Sequence, residues 1–209
     1  MPEAGVHSLL TEGLDELGLP ANPGQIEALV LLVEQVVAWA ARINLTGHRS
    51  PELAARHLVL ESAALLANSP GFTSLADLGS GAGFPGLPIA VLRPDVEVAL
   101  IESRQKRHHF QREMQRRLRL ANAVPIRGRA EDLEPAPKDA AVARAVARPS
   151  QALEWMRPWV RAGGWLLLPC AAPAPEIEPP ASVERVELRT YRIPCGGVER
   201  TLWIGRRVT

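Results

Sequence analysis

The run Asp77-Leu78-Gly79-Ser80-Gly81-Ala82-Gly83-Phe84-Pro85-Gly86 is the part of this sequence best equipped for chemistry. Glycines at alternate positions let the backbone take positive φ and approach a bound molecule with no Cβ in the way. A strand-like apolar stretch precedes the run and a helical one follows, so unpaired helix N–H groups face the same place. That combination is a cofactor cradle. Gly81-x-Gly83-x-x-Gly86 also satisfies the dinucleotide pattern, which makes a nicotinamide- or flavin-dependent protein a rival reading. Against it stand Asp77 at the strand end, the three-glycine spacing Gly79-x-Gly81-x-Gly83, and the bulk of Phe84-Pro85 where a pyrophosphate needs bare backbone. Glu102, at the tip of the next strand, suits either cofactor, because a carboxylate there accepts ribose hydroxyls. The cysteines are Cys170 and Cys195, without CxxC or Cys/His clustering, so no metal is expected and two free thiols in a reducing compartment are.

Such residues need a scaffold that gathers several strand ends. Thr73 to Leu78 reads as a buried strand, and Val96 to Ile101, Val124 to Arg127, Ala140 to Ala143 and Trp165 to Leu168 as four more. Helices fall between them: one ending near Arg93-Pro94, then Gln105 to Leu120 and Pro149 to Val160. Alternation of this kind predicts a parallel sheet with right-handed crossovers. Val183 to Arg192 and Arg200 to Arg207, joined by Pro194-Cys195-Gly196-Gly197, predict an antiparallel hairpin after the proline-rich connector Ala171 to Pro180. Ahead of the sheet, Ile26, Leu29, Val30, Val33, Val36, Val37 and Ala40 recur at helical spacing over Gln25 to Ala41, behind the start signal Asn22-Pro23-Gly24. A second helix is expected over Pro51 to Ala67, with Ser50 as N-cap and Pro51 at its first position. The expected fold is therefore α/β. A Rossmann-like sheet, mostly parallel, ends in an antiparallel hairpin as class I methyltransferases do, with a helical extension at residues 1–70 and the cofactor-binding domain at 71–209.

Composition narrows the setting. At 209 residues, with 46% hydrophobic and 22% charged, the chain can bury a core without disulfides or metal. Glu3, Glu12, Asp15 and Glu16 occupy the place of a signal peptide's apolar region, and Glu27, Glu34 and Gln35 interrupt the most apolar stretch. A soluble, cytoplasmic protein with no membrane partner is expected. Net charge is only +1. Of 24 Lys and Arg, only Lys106 and Lys138 are lysine, leaving 22 arginines, which a GC-rich genome explains as well as phosphate binding does. Arg104, Lys106, Arg107, Arg112, Arg116, Arg117 and Arg119 lie on or beside the Gln105 to Leu120 helix, with Phe110, Met114 and Leu118 as its buried stripe. This is either a solvated face or a surface that tracks phosphates. Arg42, Arg49, Arg56 and His57 offer an alternative footing for phosphates.

Five blocks occur in order: Asn44-Leu45-Thr46; Arg56-His57 with Glu61-Ser62; Asp77 to Pro88 with Arg93-Pro94; Gly128-Arg129-Ala130-Glu131; and Ala143-Arg144-Ala145-Val146-Ala147. Together they resemble the bacterial glucose-inhibited division protein B family over roughly Asn44 to Gly164, with a weaker echo in Glu199-Arg200-Thr201-Leu202. The resemblance implies a methyltransferase that uses S-adenosyl-L-methionine to modify a guanine at N7 in 16S ribosomal RNA of the small ribosomal subunit. A monomer is expected. The family's cofactor site falls on Gly79, Phe84, Ala130, Glu131 and Arg144; the rest of the loop adds Ser80, Gly81 and Gly83, and the strand-end argument adds Glu102. Guanine N7 carries no proton, so no general base is required, and a carboxylate such as Glu61 would favour the positive charge that builds on the purine. Two departures stand out: Glu61-Ser62 where the family commonly has Asp-Ser, and Leu168-Pro169-Cys170 where it usually has a Lys-Gly pair. They keep open a same-fold methyltransferase with another substrate and a non-catalytic ribosome-binding relative, beside the oxidoreductase.

Overall fold

The first expected strand folds as β1 (Ser74–Leu78), paired in parallel with β2 (Glu97–Glu102) on one side and β4 (Lys138–Ala143) on the other. This computed structural model describes residues 2–43 and 45–208; Asn44, the first residue of the Asn44-Leu45-Thr46 block, lies outside the described residues. β3 (Ala123–Arg127) and β5 (Val160–Ala171) extend the parallel array, and the hairpin β6 (Val183–Arg192) and β7 (Glu199–Arg207) closes it antiparallel, in the order β3-β2-β1-β4-β5-β7-β6. Strand order reverses between β1 and β4, which opens a crevice at their carboxyl ends.

Period-two alternation sends side chains to two cores. Leu75, Val98, Leu100, Val142 and Leu167 face one; Ala76, Leu78, Ile101, Ala143 and Leu166 face the other. The first core is covered by α1 (Pro2–Glu16), α2 (Pro23–Ala40), the helices before β1, α5 (Gly86–Leu92) and α6 (Gln105–Arg117), and the second mainly by α7 (Pro149–Met156). The N-terminal helices thus share one apolar core with the sheet. α2 begins with a full capping box, in which Asn22 accepts from the Gln25 N–H and Gln25 accepts from the Asn22 N–H, both at 3.0 Å.

Several expectations change in the structure. α1 was not foreseen, although Val6, Leu10 and Leu14 recur every four residues and are all buried. Pro51 to Ala67 is helical throughout, but as α3 (Pro51–Ala54), a wide π turn over Ala55–Leu60, and α4 (Glu61–Ala67). The π turn carries Arg56 and His57 and ends just before Glu61; such turns are frequent at functional sites. α6 stops at Arg117, three residues early, and leaves Leu118 only partly buried while Gln111 takes a fully buried place. α7 stops at Met156 and passes through a 3-10 turn into β5, which begins at Val160 rather than Trp165. Gly164 makes the longer strand possible: a Cβ there would lie 2.6 Å from the Asp139 carbonyl oxygen on β4.

Candidate active site

A cleft of about 530 Å³ opens at the carboxyl ends of β1, β2 and β4. Gly79, Ser80, Gly81, Phe84, Glu102, Ala130, Glu131 and Arg144 all line it; among the expected site residues of the loop, Gly83 does not. The glycines divide the work. Gly79, Gly81 and Gly83 have φ of +64°, +58° and +86°, conformations that cost any other residue. A Cβ on Gly79 would sit 2.9 Å from Val146 and one on Gly83 would overlap Leu87, so both shape the turn against protein. A Cβ on Gly81 would find nothing closer than 3.9 Å, and so would stand in the cleft itself. Gly86 lets α5 lie on β2, because a Cβ there would overlap Leu100. Its N–H donates to Asp77 Oδ2 at 2.8 Å. Asp77 is wholly buried and its Oδ1 has no hydrogen-bond partner. Burial pushes its carboxyl up to about 7, against the pull of the Gly86 N–H and Arg144.

Glu102 is 4% exposed at the tip of β2. Its Oε2 accepts the Gly81 N–H at 2.9 Å and its Oε1 the Arg104 N–H at 2.7 Å, with Arg107 at 4.0 Å. Each carboxylate oxygen still has a lone pair to offer. Ser80 lines the cleft but turns its hydroxyl inward, donating to the Ile101 carbonyl at 3.2 Å and accepting from Gln111 Nε2 at 2.8 Å. Gln111 also donates to the Gly81 carbonyl at 2.8 Å and so pins the loop from α6. This latch was missed in the sequence; its trace is a polar residue next to Phe110 and three before Met114, inside the buried stripe. Ala130 is fixed by its carbonyl, which accepts the Trp159 indole N–H at 3.1 Å, and Glu131 stands 3.6 Å from Arg129.

Arg144 occupies the far wall. Its Nη1 is 3.5 Å from Glu61 Oε2, while Glu61 Oε1 accepts Arg200 Nε at 2.7 Å. Beyond them lies a second cavity of about 560 Å³, which shares Leu58, Arg144 and Ala145 with the cleft. Its other walls include His48, His57, Glu61, Pro169, Cys170 and Arg200. Ala145 holds φ of +53°, an unfavourable conformation for alanine, at the boundary between the two spaces. The His48 and His57 rings stack with centroids 5.0 Å apart. Burial, then the neighbouring His57 and Arg144, push the His48 imidazole below its ordinary value. Where the family resemblance led one to expect a lysine, Pro169 and Cys170 stand in the cavity wall, and Arg200 from β7 brings a cation to the same space. Among the described residues no group of three or more His, Cys, Asp or Glu is placed to hold a metal, and no helix is long and apolar enough to cross a membrane.

The architecture is shared with solved structures, one of them holding AdoMet. The M. jannaschii protein TYW2, determined in complex with AdoMet, superposes with a TM-score of 0.55 over 71% of this chain and 75% of its own, at 16% identity. TrmN from Thermus thermophilus superposes with a TM-score of 0.53 over 70% of this chain and 48% of its own, at 20% identity. Similarity in sequence is far closer elsewhere. The ribosomal RNA small subunit methyltransferase G of Chromohalobacter salexigens is 36% identical over 95% of this chain and 96% of its own length, and that of Aromatoleum aromaticum is 35% identical over 95% and 97%. The family model for rRNA small subunit methyltransferase G matches residues 25–200, which takes in most of α2, the glycine loop and both cavities. With the glycine cradle, the strand-end carboxylate and the second cavity all inside that match, the chain belongs to the rRNA small subunit methyltransferase G family.

Proposed function

We propose that the chain transfers a methyl group from S-adenosyl-L-methionine to N7 of a guanine in 16S ribosomal RNA, as a monomer in the cytoplasm. The observation that carries this reading is the wall of Leu58, Arg144 and Ala145 shared by two cavities, one lined by a glycine cradle and the other by His48, His57, Glu61 and Arg200. The cradle fits the cofactor. Glu102 offers free lone pairs to ribose hydroxyls, the bare Gly81 leaves room for close approach, and Ala130 with Glu131 sits where an adenine edge would lie.

When bound, the cofactor supplies an electrophilic methyl group. The chain's own residues supply position. Guanine N7 presents a lone pair and no proton, so the missing general base is no defect, and alignment of N7 with the methyl carbon accounts for most of the rate. Arg144 faces both cavities and can donate to the guanine O6 beside N7, turning N7 toward the shared wall. Glu61 is held between two guanidinium groups, which offsets its charge; it therefore acts as the support that orients Arg144 and Arg200 rather than as an unpaired carboxylate facing the purine. Arg200 supplies a second cation to the wall of that cavity. Membership in the family selects the methyltransferase reading of the glycine loop over the dinucleotide one.

The test is direct. Small ribosomal subunits lacking the modification are incubated with the protein and methyl-labelled cofactor, and the RNA is digested to nucleosides. Label in 7-methylguanosine supports the reading; label in another nucleoside, or none, overturns it.

A further inference from the structure

A third cavity, of about 600 Å³, lies beside the cofactor cleft and is lined by Arg42, Arg49, Arg104, Lys106 and Arg107 over a floor of Ala40, Ala41 and Ile43. The cations come from two segments far apart in sequence, the loop after α2 and the start of α6, and among the described residues no carboxylate lines the groove. The side chains of Arg42, Arg49, Arg104 and Lys106 are exposed and make no ion pair among the described residues; the Arg107 guanidinium stands 4.0 Å from Glu102, which also accepts the Arg104 backbone N–H. The outer side of α6 is different. There Arg116 and Arg117 both close on Glu113, at 3.0 Å and 2.6 Å, and their charge is already answered.

We infer that this groove binds the phosphodiester backbone of the RNA substrate next to the nucleotide that is methylated. Concentrated unpaired cations without a carboxylate are costly to hold together unless an anion covers them, and a polyanion releases counterions on doing so. The groove adjoins the chemistry, because Arg104 and Arg107 line the cofactor cleft as well. The loop between α2 and α3 touches all three spaces: Arg49 lines the groove, Leu45 and Thr46 the cleft, and His48 the second cavity. A strand anchored at Arg42 and Arg49 therefore runs along this loop toward the cavity assigned to the base. The inference rests on the RNA-methyltransferase reading above, but names a surface that reading does not require.

The test uses the full chain and a fluorescein-labelled single-stranded RNA 20-mer, titrated at several salt concentrations. Arg42→Gln with Arg49→Gln removes two groove cations that do not line the cofactor cleft. The slope of log K against log salt should fall by about 1.4 for two lost single-strand contacts, so that raising salt from 50 to 200 mM costs about sevenfold less affinity than in the native chain. Arg116→Gln with Arg117→Gln, the charge-matched control, should leave the slope unchanged. S-adenosylhomocysteine binding, followed in parallel, should survive in both variants; its absence from the native chain would instead strike at the methyltransferase reading. An unchanged slope in the groove variant, or an equal change in the control, overturns the inference. A polyaspartate of equal charge that binds as tightly as the RNA, with the same dependence on Arg42 and Arg49, assigns the groove to acidic proteins and overturns it too.

Discussion

Gly81→Val should abolish cofactor binding in a chain that still folds. The native φ of +58° costs an L-residue roughly 1–2 kcal/mol, a little more for a branched side chain. At about 2–4 °C per kcal/mol for a chain of this size, the melting temperature should fall by roughly 2–8 °C. No protein atom beyond the loop's immediate neighbours lies within 3.9 Å of the new Cβ, so its methyls point into the cleft where the ligand must lie. Binding of S-adenosylhomocysteine should weaken at least about 100-fold, roughly 2.7 kcal/mol, as read by isothermal calorimetry. Gly18→Val is the matched control. Its φ is +66° and its Cβ would meet nothing within 4 Å, so it carries the same backbone cost far from the cleft. It should lower the melting temperature by a similar amount and leave binding intact. Full-affinity binding by folded Gly81→Val, or equal loss in Gly18→Val, would refute the placement of the cofactor on this loop.

Three further outcomes follow from the same geometry. Glu102→Ala should weaken S-adenosylhomocysteine binding by about 1.5–3 kcal/mol, roughly 10- to 150-fold, since charged acceptors of this kind are lost outright; a change below twofold in calorimetry means the carboxylate serves only the Gly81 and Arg104 N–H groups. Asp77, with a folded pKa of about 7 against an ordinary 3.8, keeps its proton longer folded than unfolded, so its contribution is greatest below pH 4 and declines as pH rises to about 7. Asp77→Asn keeps an acceptor for the Gly86 N–H without the charge, and its melting temperature should gain on the native chain between pH 5 and pH 8; a constant difference contradicts the buried-carboxyl account. Asp139 is held well below the usual carboxylate range, first by the Thr73 hydroxyl and also by the Thr73 N–H and Arg161, so its stabilisation is present above about pH 4 and is lost as pH falls through the folded value. Asp139→Ala should cost about 1.5–3 kcal/mol at pH 7, with the gap to the native chain narrowing in acid denaturation curves below pH 4.

Much of the scaffold was legible because punctuation marked it. Asp77 to Gly86 ended one strand and opened one helix, and Val183 to Arg192 was bounded by proline and glycine clusters that fixed β6 to the residue. The long β5 was hidden because Gly163-Gly164 looks like a break in sequence, whereas in three dimensions Gly164 permits contact with Asp139. α1 is hard to read in sequence because Glu3, Glu12, Asp15 and Glu16 dilute its apolar signal and only Val6, Leu10 and Leu14, four residues apart, mark its buried face. In the site, the residues that touch the cleft through local backbone were visible in the loop itself. Gln111 was not, since a latch from α6 to Ser80 depends on packing. Nor was the meeting of Arg42 and Arg49 with Arg104 and Lys106, which depends on how the loop after α2 folds back. Glu61 was visible as a carboxylate but its two arginine partners, 83 and 139 positions further along the chain, were not.

The central claim is that adjoining cavities hold a cofactor and a guanine across the wall of Leu58, Arg144 and Ala145. A crystal structure with S-adenosylhomocysteine and guanosine tests it most directly. The account predicts ribose hydroxyls within hydrogen-bond distance of Glu102, the sulfur turned toward the shared wall, and guanine in the second cavity with N7 facing that sulfur and O6 near Arg144. Homocysteine or adenosine lying away from the glycine loop, or guanine bound outside the cavity of His48, His57 and Arg200, would contradict it.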